Sequence, residues 1–198
     1  ANLIRHGTDI TIIGMSYMNT EAIRCLDFLK LQGISCELID LRSINPIDWS
    51  TIIKSVKKTK RLLVLDTGSE TGSLAGEIIA KVAIELFSEM LAPPARICLP
   101  DSPVPASFSL TEDFYPTSYD IAKQICEMLD VNFNKQDFES WSDFRSEPKN
   151  TLQPNEFELI CQLHAKYYNH KYHKPCTCNP KKIKLWIKQL NVIWNNGN

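Results

Sequence analysis

The chain has 198 residues, 43% of them apolar, and a formal net charge of −1, which is enough for a packed core in one large domain or one domain plus an appendage. No apolar run approaches the roughly 20 residues that cross a bilayer, so no membrane partner is expected. The seven cysteines are odd in number and several sit inside apolar periodic runs, which excludes a disulfide framework and fits a reducing compartment.

The start, Asn2 to Thr20, lacks a charged segment followed by an apolar block, so no signal peptide is expected. Asp9 to Gly14 reads as a first strand. Thr20 to Gln32 carries apolar residues at 22, 23, 26 and 29, a helical spacing closed by Gly33. Ile34 to Asp40 is a second strand. Asn45-Pro46-Ile47-Asp48 predicts a helix start, with Asn45 as N-cap and Pro46 in the first turn, running to about Lys57. Arg61 to Gly76 predicts strand, small-residue loop and helix in succession. Its apolar run Leu62–Leu65 is continuous, as in a strand covered on both faces. Gly68 and Gly72 are expected to relax the loop, and Gly76 to let its helix lie close on the sheet. That helix extends to Met90 and stops at Pro93-Pro94.

Ala95 to Leu99 is a fourth strand, followed by an irregular connection from Ser102 to Pro116. Thr117 then caps a last helix, with Asp120 at the third position as a capping-box partner. Strands alternating with helices predict an α/β fold: a three-layer αβα domain with a mostly parallel sheet and helices on both faces.

Composition changes near residue 131. Residues 1–130 hold 12 Lys+Arg against 17 Asp+Glu, net −5, whereas residues 131–198 are net +4. The expected organisation is an α/β domain over 1–130, a linker or draped arm over 131–153, and a small C-terminal helical appendage over 154–198. In the arm, Phe133, Phe138, Trp141 and Phe144 recur in a polar background. The appendage reads as a helix pair joined by a Cys/His turn.

In open α/β sheets, sites are built at the carboxyl ends of the strands. The candidates there are Arg42, Asp66, Glu70 and Asp101. Three of them have a plain alternative: a salt bridge for Arg42, helix capping and solvated charge for Asp66 and Glu70. The Gly68–Gly72 loop offers an anion cradle on helix N–H groups but lacks a Walker lysine. His6 is expected to be a surface residue. In the tail, His170, His173, Cys176 and Cys178 could complete a tetrahedral zinc site, although their spacing is tighter than standard patterns. A turn shaped by Pro175 and Pro180 is the alternative. The basic helix around Lys181, Lys182, Lys184 and Lys188 is a solvated face or, less in keeping with its pattern, a nucleic-acid contact.

Four stretches carry a family resemblance: ANLIRHGTDITIIGMSYM, GISCELIDLRSINPID, TIIKSVKKTKRLLVLDTGSETGSLAGEI and APPARICLPDSPVPASFSL. In this order and spacing they resemble the C-terminal domain of transketolase-like thiamine-diphosphate enzymes. Among these the beta subunit of 2-oxoacid dehydrogenases, of pyruvate or branched-chain type, is the nearest in pattern. The resemblance covers about two thirds of the chain and none of the tail. It implies oxidative decarboxylation of a 2-oxoacid by the parent enzyme, with thiamine diphosphate and magnesium held by other domains. It also implies that this chain binds no cofactor by itself and is not catalytic alone. Its role would be a subunit interface beside the active-site mouth. The implied partners are a second copy, subunits carrying the thiamine-binding domains, and an acyltransferase core, in the cytoplasm or a mitochondrial matrix. The chain departs from the family after its third strand, where Asp66-Thr67-Gly68-Ser69 replaces an acid followed by Gly-Trp. The alternative function is a non-catalytic scaffold whose basic tail binds a partner or nucleic acid.

Overall fold

The computed structural model describes residues 1–111, 114–133, 135–146, 154–167, 171–174 and 180–195. They fall into two compact units, Ala1–Phe133 and Asn134–Asn198.

In the first unit five strands form one sheet: β1 (Asn2–Arg5), β2 (Ile10–Gly14), β3 (Cys36–Asp40), β4 (Leu62–Ser69) and β5 (Ala95–Leu99). Their order is β1-β3-β2-β4-β5. β2 to β5 are mutually parallel, and β1 alone runs antiparallel, against β3. Ile12 of β2 stands between Leu38 of β3 and Leu63 of β4. All five residues of β2 are buried, as expected for a central strand with layers on both faces.

Five helices complete this unit: α1 (Tyr17–Leu31), α2 (Trp49–Thr59), α3 (Leu74–Leu86), a short α4 (Phe108–Thr111) and α5 (Ser118–Met128). A 3-10 turn, Phe87–Glu89, ends α3. The connection through α1 moves from β2 to β3, and the next, through α2, returns past β2 to β4. With right-handed crossovers, α1 and α2 therefore lie on opposite faces. On the α2–α3 face, Ile13, Ile39, Leu62 and Val64 pack with Ile52, Val56, Ile78 and Val82. On the other face α1 packs against the sheet and α5. Each fully buried Ile or Leu contributes about 1.5–3 kcal/mol. The fold is thus the three-layer αβα arrangement with a mostly parallel sheet.

Two buried polar groups tie α2 to the sheet. The Thr11 hydroxyl lies 2.7 Å from both the Ser55 and the Thr59 hydroxyls. Glu37, in β3, accepts from Ser55, Lys58 and the Gly7 N–H. A third tie runs between helices. Glu21 of α1 accepts the Ser118 N–H at the start of α5, at 3.0 Å.

Several elements differ from expectation. β1 is an additional strand; it is short and mostly exposed, so it lacks the buried alternation that marks a strand. The Asn45-Pro46 peptide is cis, and α2 starts at Trp49 with Asp48 as N-cap. The reason is local: Asp48 accepts from the Thr51 N–H and hydroxyl and from Ser50, a set that Asn45 cannot match. β4 continues to Ser69, so Gly68 lies within the strand rather than in a loop, and among the described glycines only Gly33 and Gly72 have positive φ. The Thr117–Asp120 capping box forms as expected.

The second unit contains α6 (Lys135–Ser146), α7 (Pro154–Tyr167) and α8 (Pro180–Asn195). A helix therefore occupies much of the segment expected as a linker or draped arm. The side chains of Trp141 and Phe144 lie outside the described set. Phe157, Ile160, Cys161, Leu163, Ile183 and Trp186 are buried. The His164 ring stacks on Trp186 with centroids 4.4 Å apart, and its Nε2 lies 3.2 Å from Gln189 Oε1.

Candidate functional site

The carboxyl ends of β2 to β5 share one edge of the sheet. β2 leads on to β3 on one side and the chain later crosses to β4 on the other, so the topological switch point lies between β2 and β4. The four candidate residues lie along this edge in two groups, with β2 between them.

The larger group joins β4, β5 and the start of α3. Asp66 ends the apolar run of β4 and is 6% exposed. Its Oδ1 accepts the Gly68 N–H at 2.8 Å and its Oδ2 accepts the Ala75 N–H at 3.1 Å. The Ser73 hydroxyl oxygen accepts the Gly76 N–H at 3.2 Å. Two donors of the first turn of α3 are thus satisfied, one by the N-cap and one by the strand beneath it. Glu70 donates its N–H to Leu99 O at 2.9 Å and pairs through its carboxylate with Arg96 at 3.2 Å. Thr71 donates its N–H to Asp101 at 2.9 Å and its hydroxyl to the other carboxylate oxygen. These bonds from the Thr71 hydroxyl and N–H hold the Asp101 carboxyl below its ordinary range. Cys98 is half-buried, and burial pushes its thiol up despite a hydrogen bond with Ser73. A thiol so placed is a poor nucleophile.

Arg42 stands beyond β2, just after β3. Its Nε donates to Asp40 at 2.9 Å, and Asp40 also accepts from Asn19 Nδ2 at 2.8 Å. The Arg42 side chain remains 67% exposed and that of Glu70 61%. The structure therefore brings Asp66, Glu70 and Asp101 together and leaves Arg42 in a separate pair. Asp66 is spent on capping. Asn19, Thr71, Ser73 and Arg96 are participants that the sequence reading missed. Ser73 had a legible signal, a hydroxyl residue directly before the amphipathic run. Arg96 and Asp101 meet their partners through strand pairing, which no local pattern announces. His6 is exposed, as expected.

At Gly68–Gly72, which the sequence offers as an anion cradle without a Walker lysine, several of the nearby donors are already engaged. The N–H groups of Gly68, Glu70, Thr71, Ala75 and Gly76 all have internal acceptors. Three carboxylates surround them. A diphosphate needs free donors or cations, and the five engaged donors and the carboxylates beside them count against one here.

Of the four zinc candidates, His170, Cys176 and Cys178 lie outside the described residues. His173 is described; its Nε2 is 3.1 Å from Lys182 Nζ, and its ring meets Trp186 edge-on. Among the described residues no group of three or more His, Cys, Asp or Glu could hold a metal. Lys181 and Lys184 are exposed, while Lys182 lies 5.6 Å over the Trp186 ring. The buried cysteines 25, 36, 126 and 161 are free thiols, and desolvation raises all four, Cys126 to about 11. No described helix is long and apolar enough to cross a membrane.

Residues 1–121 match the transketolase C-terminal domain family. The beta subunit of acetoin:2,6-dichlorophenolindophenol oxidoreductase from Cupriavidus necator is 35% identical over 62% of this chain and 36% of its own length. The mitochondrial beta subunit of 2-oxoisovalerate dehydrogenase from Dictyostelium discoideum is 40% identical over 58% of this chain and 30% of its own length. The beta subunit of the pyruvate dehydrogenase E1 component from Bacillus subtilis is 33% identical over 66% of this chain and 40% of its own length. A solved structure titled as a split-gene transketolase, inactive beta4 tetramer, superposes with a TM-score of 0.53. It covers 67% of this chain and 42% of that one at 22% identity, and so speaks to the fold alone. The chain spans between about a third and two fifths of the length of these relatives. With a family match over more than half of its residues and the corresponding αβα sheet, the chain belongs to the transketolase C-terminal domain family.

Proposed function

We propose that this chain supplies the assembly and interface portion of a 2-oxoacid dehydrogenase-type beta subunit. The parent enzyme would oxidatively decarboxylate a 2-oxoacid, with thiamine diphosphate and magnesium held by its other domains. The observation that carries this reading is the match, at 33–40% identity, to 30–40% of the length of beta subunits of 2-oxoisovalerate dehydrogenase and of the pyruvate dehydrogenase E1 component. The hydrogen bonds from Gly68, Thr71 and Ala75 to Asp66 and Asp101 support it, because they hold the shape of the β4 loop. In this reading Asp66 and Asp101 set the loop, while Glu70 and Arg42 present charge to a neighbouring subunit. The partners are a second copy or subunits bearing the thiamine-binding domains, with an acyltransferase core beyond them. The compartment is the one in which such enzymes work, cytoplasm or mitochondrial matrix.

Native mass spectrometry of the complex purified from its source tests this. The expected result is an assembly that contains thiamine diphosphate and reduces a dye with a 2-oxoacid. Glu70→Lys with Arg42→Glu should weaken that assembly while leaving the chain folded. Micromolar binding of thiamine diphosphate by the isolated chain in magnesium buffer would overturn the reading. So would an assembly without any thiamine-binding component.

A further inference from the structure

α2 and α3 lie side by side on one face of the sheet. Between them is an open cleft lined by Trp49, Ser50, Ile53, Lys54, Lys57 and Glu85. Trp49 and Ile53, one turn apart, pack inward on the core yet stay partly uncovered at the cleft. Lys54 and Lys57 are exposed and meet no carboxylate among the described residues. Glu85, the acid of the lining, is already paired with Lys81 at 2.8 Å. The cleft therefore carries uncompensated positive charge beside an apolar floor. Beside Glu85, Ile84 in the last turn of α3 and Phe87 at the start of the 3-10 turn that follows are exposed, at 82% and 81%. These two are three residues apart and form one ridge.

We infer that this cleft and ridge are a docking face for an acidic amphipathic helix of a partner protein. The charge selects the partner: carboxylates on its flanks meet Lys54 and Lys57, which pair with no carboxylate among the described residues. The shape selects a helix. The cleft runs between two helices and offers no free strand edge, so an apolar stripe at i, i+3 or i+4, and i+7 fits it. The 11 residues of α2 span about 16 Å, which sets the docked segment at roughly three turns. A small ligand would leave Ile84 and Phe87 uncovered. The lining of this face shares no residue with the strand-end set invoked under the proposed function, so the two readings are tested by different variants.

The test uses the full chain, labelled with 15N, and two synthetic 18-residue peptides. Both carry one leucine face on an alanine-rich helix; one is flanked by glutamates and the other by lysines. The expected result is that the glutamate peptide shifts amide signals of residues 49–57 and 84–87 and alters Trp49 fluorescence. Its affinity should fall at least tenfold in Lys54→Glu/Lys57→Glu, and likewise in Phe87→Ser, with melting temperatures unchanged. The lysine peptide should bind at least tenfold more weakly to the native chain. Arg42→Glu and Glu70→Lys should leave peptide binding as it was. Equal binding of the two peptides, signal changes elsewhere, or undiminished binding by both the lysine and the Phe87 variants would overturn the inference. Self-association of the native chain that Lys54→Glu/Lys57→Glu abolishes would overturn it too, by making a second copy the occupant.

Discussion

Asp66 Oδ2 accepts the N–H of Ala75, nine residues ahead in the chain, at 3.1 Å. A carboxylate within β4 thereby caps the helix that follows its own strand. Asp66→Ala leaves the Ala75 and Gly68 N–H groups without acceptors, at about 1–3 kcal/mol for each buried donor. Asp66→Asn keeps an acceptor but turns an amide donor toward one of them, so it should fall between. Chemical denaturation followed by circular dichroism measures both; a loss in Asp66→Ala below about 0.5 kcal/mol would show the cap to be idle.

Two glycines should respond in opposite ways to the same change. A Cβ on Gly7 would lie 2.1 Å from the backbone carbon of Cys36, inside the sheet. Gly7→Ala must push β3 aside and should cost about 3 kcal/mol or more. A Cβ on Gly76 meets only Arg96 Nη1 at 3.2 Å and Ser73 Oγ at 3.7 Å, both ends of movable side chains. Gly76→Ala should be neutral or stabilise by up to about 1 kcal/mol, because alanine suits a helix better. Thermal melting of the pair decides it.

Glu37 predicts a pH dependence. Burial alone would raise its carboxyl, but hydrogen bonds from Lys58, Ser55 and the Gly7 N–H outweigh this and hold it below the ordinary value. A lowered folded pKa means that the contribution is complete above the unfolded-chain value of about 4.3 and is lost as pH falls through the folded one. The stability gap between the native chain and Glu37→Gln should therefore be widest near neutrality and close at acid pH. Urea midpoints measured between pH 7 and pH 3 check the sign; a gap that widens on acidification would refute it.

Trp186 joins α7 to α8 by stacking on His164. Trp186→Ala should cost the second unit about 3–5 kcal/mol. Limited proteolysis should then cut within residues 134–198 while the first unit keeps its melting transition. An unchanged digestion pattern would remove this stack from the account.

Where local chemistry decides structure, the chain could be read directly. Thr117 and Asp120 form a capping box within four residues, and Gly33 closes α1 with positive φ. The continuous run Leu62–Leu65 marks a doubly covered strand for the same reason. Competition between local signals was harder to judge. Asn45-Pro46 looks like a helix start, but Asp48, with Ser50 and Thr51 just after it, offers the better cap. β1 owes its existence to the open edge of β3, not to its own pattern. In α6 the spacing of Phe138, Trp141 and Phe144 is itself helical, and the polar background hid it. At the site, Asp66 and Glu70 are adjacent enough in sequence to be noticed. Arg96 and Asp101 come to them only because β5 pairs with β4, a long-range fact.

The bond from the Ser118 N–H to Glu21 spans 97 residues. During synthesis the first helix therefore waits for nearly the whole domain to be made before its buried acid finds this donor. This contact is therefore among the last in the domain that synthesis can supply, whereas β2, β3 and β4 pair within residues 10–69. Until then the face of α1 that α5 covers in the folded domain has no neighbour from that helix.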